Sequence, residues 1–177
     1  MNYQLLALDL DGTLTNSDKK ITPPTIEALI DIQKHGKKVV LASGRPTMGV
    51  TPLAKQLSLH EYGSYILSFN GGRITDCRTG KLIYNKTLPD DVAAPLFHIA
   101  KKYSGVDILA YSDERIISGI KPNRYTDLEA RINHVNIETV PDFLLEIPEM
   151  NNKFLITGEP EVIARVQKEV KDYFRSY

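Results

Sequence analysis

The residues best placed to do chemistry come within the first thirteen. In Leu5–Thr13, reading LLALDLDGT, an apolar run ends in Asp9, Leu10, Asp11, Gly12 and Thr13. Packing does not call for two carboxylates there, because a desolvated carboxylate costs several kcal/mol unless it is paired or bound to a metal. Two aspartates spaced by two as the chain leaves a strand put both side chains at one mouth. That pair suits phosphoryl transfer, whose uncatalysed barrier is very high. One carboxylate can attack phosphorus and carry an acyl phosphate, splitting the step in two. The other can protonate the leaving oxygen and then activate water. Carboxylate and phosphate repel each other, so a hard cation such as Mg²⁺, which prefers oxygen ligands, is expected between them. Gly12 lets the backbone pass close to an anion and turn its N–H toward it.

The elements that must hold these groups follow in order. Leu5–Leu10 is almost continuously apolar, as in a strand buried on both faces. After a polar loop at Asn16–Lys20, ITPPTIEALIDIQKHG reads as a helix. Thr22 is its N-cap, Pro23 or Pro24 stands in the first turn, and Gly36 is the stop. Ile26, Leu29, Ile30 and Gln33 give it a mostly apolar face. Lys38–Ala42 is a second strand and ends in Ser43, Gly44, Arg45 and Pro46. A helix over about 47–59 contains Pro52, so a kink or a late start is expected. Tyr65–Phe69 is a third strand and ends in Asn70, Gly71 and Gly72. Strand and helix alternating at this spacing predict right-handed parallel crossovers, with ligands beyond the carboxyl ends of the strands. Asp9 and Asp11, Ser43 and Asn70 each stand at that end. Ser43 and Gly44 add a hydroxyl and an N–H where a helix begins, which favours an anion.

Beyond Gly72 the pattern changes. Arg73–Cys77 and Leu82–Asn85 predict a hairpin around Gly80. A helix is expected from Leu88 to about Tyr103, antiparallel strands at Val106–Tyr111 and Arg115–Ser118, and a weaker helix over Pro122–Asn133. A short strand at Phe154–Thr157 and a helix over Glu159–Tyr177 complete the pattern. From about Asn85 this is an α+β unit.

Composition narrows the partners. Lys+Arg and Asp+Glu both number 22 in 177 residues, a net charge of zero. That argues against a nucleic-acid partner. The lone Cys77 fits a reducing compartment and has no activating neighbour. The apolar run at the N-terminus is too short for a membrane span, so no membrane partner and a cytoplasmic location are expected.

The motifs Asp9-Leu10-Asp11-Gly12-Thr13, Ser43-Gly44-Arg45-Pro46 and Asn70-Gly71 together resemble the haloacid dehalogenase superfamily. The whole chain is similar to its Cof-type sugar-phosphate phosphatases. The resemblance implies an α/β fold: a partial Rossmann-like parallel-sheet core over 1–84, with an inserted α+β cap domain over 85–177. It implies Asp9 as nucleophile and Mg²⁺ ligand, and Asp11 as general acid/base, ligating the metal through its backbone carbonyl. It places Leu10, Gly12, Thr13, Ser43, Gly44, Arg45 and Asn70 on the substrate or its phosphate. Arg45 either meets substrate or pairs with a cap carboxylate. The implied substrate is a small phosphorylated metabolite. A phosphomutase sharing these residues and a non-catalytic binding module are the alternatives. Cap residues Tyr111, Asp113, Arg115, Lys121 and Arg124 either face substrate or form a solvated surface.

Two further family motifs, a phosphate-steadying lysine and an acidic loop completing the metal site, follow the cap. Neither is found here: Lys153 lacks the following glycine, and Gly158-Glu159 runs into Pro160. The chain is therefore expected to stop at the last cap helix, to bind metal weakly and to turn over poorly alone. Its first strand is expected to be an open apolar edge, prone to self-association.

Overall fold

The computed structural model describes residues 3–176. The chain divides into two compact units, Met1–Lys86 and Thr87–Tyr177.

The first unit is a five-stranded sheet with helices. Its elements are β1 (Leu5–Asp9), α1 (Pro23–Lys34), β2 (Lys38–Ala42), α2 (Thr47–Gln56), α3 (Leu59–Tyr62), β3 (Tyr65–Ser68), β4 (Arg73–Asp76) and β5 (Leu82–Asn85). The strands lie in sequence order. β1, β2 and β3 pair in parallel, with Asp9 opposite Ala42 and Ala42 opposite Leu67. The β4–β5 hairpin joins antiparallel. The three parallel strands thus finish at one end of the sheet, and the polar residues that follow them emerge there.

The core takes Leu41 and Val39 from β2, Leu29 from α1, and Val50 and Leu53 from α2, with Leu10 and Leu14 from the turn after β1. Gln33, on the mostly apolar face of α1, is buried because it is fully bonded. Its Nε2 donates to the carbonyls of Leu29 and Leu57, and its Oε1 accepts from Ser64 Oγ at 2.8 Å. Pro52 is accommodated within α2. The helix ends at Gln56, and the chain turns at Ser58 (φ +52°) into the short α3, a break that the expected helix over 47–59 did not contain.

β1 departs from a strand buried on both faces. It is the edge strand of this sheet, and four of its five residues are exposed, with Leu5 at 52% and Leu6 at 39%. Its apolar composition matches a central strand, but only β2 lies beside it.

The second unit contains α4 (Ala93–Lys101), β6 (Asp107–Tyr111), β7 (Arg115–Ser118), α5 (Arg124–Asn133), β8 (Asn136–Thr139), α6 (Phe143–Glu146), β9 (Leu155–Thr157) and α7 (Pro160–Tyr173). Its sheet runs β8-β7-β6-β9. β6 is antiparallel to both neighbours, and β7 pairs with β8 in parallel. The expected helix from Leu88 begins only at Ala93, after a 3₁₀ turn at Asp90–Val92. β8 and α6 were not read from the sequence: NIET carries a single apolar residue, and FLLE is one turn long. Phe143 of α6 nonetheless stacks on Phe97, 5.5 Å between ring centroids. It packs so close to Gly119 that a Cβ there would lie 2.7 Å from its ring. Val162, Ile163, Val166 and Val170 of α7 lie against the same core.

Candidate active site

The turn after β1 sets the two aspartates. Leu10 is fully buried, and its carbonyl accepts from Thr15 N at 2.9 Å and Thr15 Oγ1 at 2.9 Å. Leu14 N bonds the Asp9 carbonyl at 3.1 Å, and Gly12 turns the chain at φ +81°. This tight loop points Leu10 into the core and leaves Asp9 and Asp11 outside it. The Leu10 side chain therefore cannot reach a ligand, and only its backbone could. Gly12 and Thr13 are exposed on the same turn.

The two carboxylates are treated differently. Asp9 is exposed and has no side-chain partner among the described residues. Asp11 is clamped. Arg45 Nε reaches its Oδ2 at 2.9 Å and Arg45 Nη2 its Oδ1 at 2.6 Å, a two-pronged pair. Lys19 Nζ adds a third contact to Oδ1 at 2.8 Å. The Arg45 hydrogen bonds are the main reason that the Asp11 carboxyl is held down to about 2, with Lys19 helping and partial burial opposing.

Beyond β2, Ser43 is buried and its Oγ accepts from Arg45 N at 3.1 Å. Asn70, in the left-handed region at φ +57°, returns to the same place, and its N–H bonds the Ser43 carbonyl at 3.1 Å. Phe69 N bonds the Arg45 carbonyl at 3.0 Å. The Asn70 Oδ1 lies 2.7 Å from where a Gly44 Cβ would stand, so any side chain at Gly44 would displace the Asn70 amide. The ends of β2 and β3 are thus tied together, and Arg45 ties them to the end of β1. The ion pair of Arg45 is with Asp11 of its own unit, where a cap carboxylate was one of the two expectations, and its guanidinium is almost wholly buried.

Lys19 was missed at the sequence level. It lies in the polar loop eight residues after Asp11, and only its left-handed backbone (φ +60°) brings it back, which composition does not reveal.

For a hard cation the chain offers the free Asp9 carboxylate. The Asp11 side chain is taken, and among the described residues no third His, Cys, Asp or Glu joins them. That donor set suits a Mg²⁺ that keeps several waters, with Asp9 and a backbone carbonyl as its protein ligands.

The family model for haloacid dehalogenase-like hydrolases matches residues 6–177. The chain belongs to this family. It is 30% identical over 98% of its length to a Streptococcus pyogenes serotype M6 protein provisionally named a phosphatase. It is 28% identical over 95% of its length to the 5-amino-6-(5-phospho-D-ribitylamino)uracil phosphatase YitU of Bacillus subtilis. A crystal structure of a haloacid dehalogenase-like hydrolase from Bacteroides thetaiotaomicron superposes with a TM-score of 0.94 at 38% identity over 99% of the chain. A subclass IIB sugar phosphatase of the superfamily shares the fold, with a TM-score of 0.76 at 24% identity over 96% of the chain. The chain spans 64% and 61% of the two relatives, and 65% and 62% of the two solved chains.

Proposed function

We propose that this chain carries the nucleophile half of a Mg²⁺-dependent phosphomonoesterase site acting on small phosphorylated metabolites, sugar phosphates among them. The observation that carries the reading is the unequal treatment of the two aspartates: Asp9 is exposed and unpartnered, whereas Asp11 beside it is held by two cations. A carboxylate that the fold leaves bare at the end of a parallel strand is available as a nucleophile.

In this reading an Asp9 oxygen attacks phosphorus and the ester P–O bond breaks, leaving the phosphoryl group on Asp9. The leaving oxygen takes its proton from Asp11, which later removes a proton from the water that hydrolyses the acyl phosphate. Clamped as described, Asp11 is an anion, ready for the second role; for the first, it must take up a proton from solvent as its cations loosen, and it passes that proton to the leaving oxygen. Ser43 and the backbone at Gly12 and Gly44 border the transferring group. Asp9 and the Asp11 carbonyl would hold a Mg²⁺ ion, which would screen the charge between carboxylate and phosphate. The second unit, Thr87–Tyr177, serves as the cap, beginning two residues later than the sequence led us to expect. The phosphatases among the relatives and structural neighbours support the substrate class. The absence of any helix among the described residues long and apolar enough to cross a membrane, with a single cysteine, supports a cytoplasmic setting. The exposed edge of β1 supports self-association of this chain.

Intact-mass analysis after acetyl phosphate treatment with Mg²⁺ and acid quench tests this reading. One added phosphoryl group on the wild-type chain, absent from Asp9→Asn, is expected. No adduct on the wild type, or an adduct that persists in Asp9→Asn, would overturn it.

A further inference from the structure

We propose that Lys19 is a phosphate-binding residue of this site, its ammonium resting on Asp11 until a substrate phosphate oxygen takes it. The inference rests on the phosphoryl-transfer reading above and adds a residue to it.

Lys19 and Arg45 hold the same carboxylate in different ways. Arg45 is buried, with 8% of its side chain exposed, and it satisfies both Asp11 oxygens. Lys19 adds only a second contact to Oδ1, and 46% of its side chain is exposed. If the ammonium leaves, Asp11 remains paired through Arg45 and no charge is stranded. If Arg45 left, a buried guanidinium would lose its carboxylate counter-charge. Lysine, a compact point charge on a flexible stem, is the cation suited to move between two anions.

The loop is built to present this side chain. Lys19 adopts the left-handed conformation, φ +60°, which non-glycine residues rarely take. The turn around it is held by Asn16, whose Oδ1 accepts from Asp18 N at 3.0 Å and Lys20 N at 2.9 Å. The Asn16 carbonyl accepts from Lys19 N at 2.9 Å.

Charge points the same way. Among the chain's own groups, Asp9 and Asp11 are balanced by Arg45 and Lys19, so while both cations stay on Asp11 the chain itself adds no free positive charge to that of the proposed Mg²⁺. Moving Lys19 onto the phosphate places its positive charge where the negative charge arrives and leaves the Asp11–Arg45 pair intact.

The probe is beryllofluoride, read by ¹⁹F NMR in the presence of Mg²⁺, with Asp9→Asn as the control for the site. Wild-type chain is expected to give a bound signal that Asp9→Asn lacks. Lys19→Met is expected to weaken adduct formation about tenfold, the loss of one charge-assisted contact, and Lys19→Arg to restore most of it. Equal affinity in Lys19→Met and wild type, with the Asp9 dependence intact, would overturn the role of Lys19 alone. No bound signal in the wild type, or one indifferent to Asp9→Asn, would overturn the phosphoryl-transfer reading and this inference with it. Matching thermal midpoints for Lys19→Met and wild type exclude misfolding as the cause.

Discussion

β1 and β6 are both apolar strands carrying an aspartate, and the fold uses them in opposite ways. β6 is fully buried along its length, with β7 and β9 on its flanks. Its Asp107 has no exposure and accepts four hydrogen bonds. Oδ1 takes the N–H groups of Ile108 at 2.9 Å and Ile120 at 3.0 Å; Oδ2 takes Ser118 Oγ at 2.8 Å and Thr126 Oγ1 at 3.0 Å. β1 lies at an edge with Leu5 and Leu6 exposed, and its Asp9 carboxylate accepts nothing among the described residues. Asp107 serves the structure because every lone pair is matched by a donor, which is how a buried carboxylate is retained. The Asp9 carboxylate makes no such bonds, and the proposed phosphoryl transfer would account for it at the strand end.

The contrast can be broken or sharpened experimentally, and the largest effect is expected at Asp107. Asp107→Ala removes the acceptor of two backbone N–H groups and the Ser118 hydroxyl in the core of the second unit, and leaves Thr126 Oγ1 with Thr157 alone. It should cost about 3 kcal/mol or more in urea unfolding. A loss under about 1 kcal/mol would mean that the network is dispensable. The next effect is on association. Leu5→Lys with Leu6→Lys places charge on the open edge. It should shift the chain toward monomer in sedimentation velocity, whereas Leu109→Val on the covered β6 should leave the mass distribution unchanged. A wild-type chain that is already a stable monomer without dye-accessible apolar surface would refute the self-association.

A smaller effect is expected from pH. The Asp11 carboxyl titrates lower in the folded chain, about 2 against an ordinary 3.8. Its pairing therefore contributes stability above about pH 4 and loses it as the pH falls through about 2. The side chain is partly exposed, so solvent screening limits the contribution to no more than about 1 kcal/mol. In Arg45→Met the acid limb between pH 4 and 2 should flatten, and an unchanged limb would mean that the clamp contributes nothing to folding.

Much of this was legible in the sequence, for a physical reason. Residues that must stand at a strand's carboxyl end are adjacent to the apolar run that makes the strand, so Asp9, Asp11, Ser43 and Asn70 could be placed from local pattern. The three-strand parallel order followed from the same alternation. Lys19 and the Arg45 clamp were not legible, because each depends on where a side chain returns in space. β8 and α6 were missed because their few apolar residues carry no periodicity of their own. The exposure of β1 depends on its neighbours: LLALD reads the same beside one strand or two, and the open edge that the structure shows was expected from the family resemblance rather than from the residues themselves.

Urea unfolding of Asp9→Ala at neutral pH tests the central claim most directly. If Asp9 is kept for chemistry, removing its carboxylate should leave the unfolding free energy within about 0.5 kcal/mol of wild type, or raise it. A loss comparable to that of Asp107→Ala would make Asp9 a structural carboxylate and contradict the account.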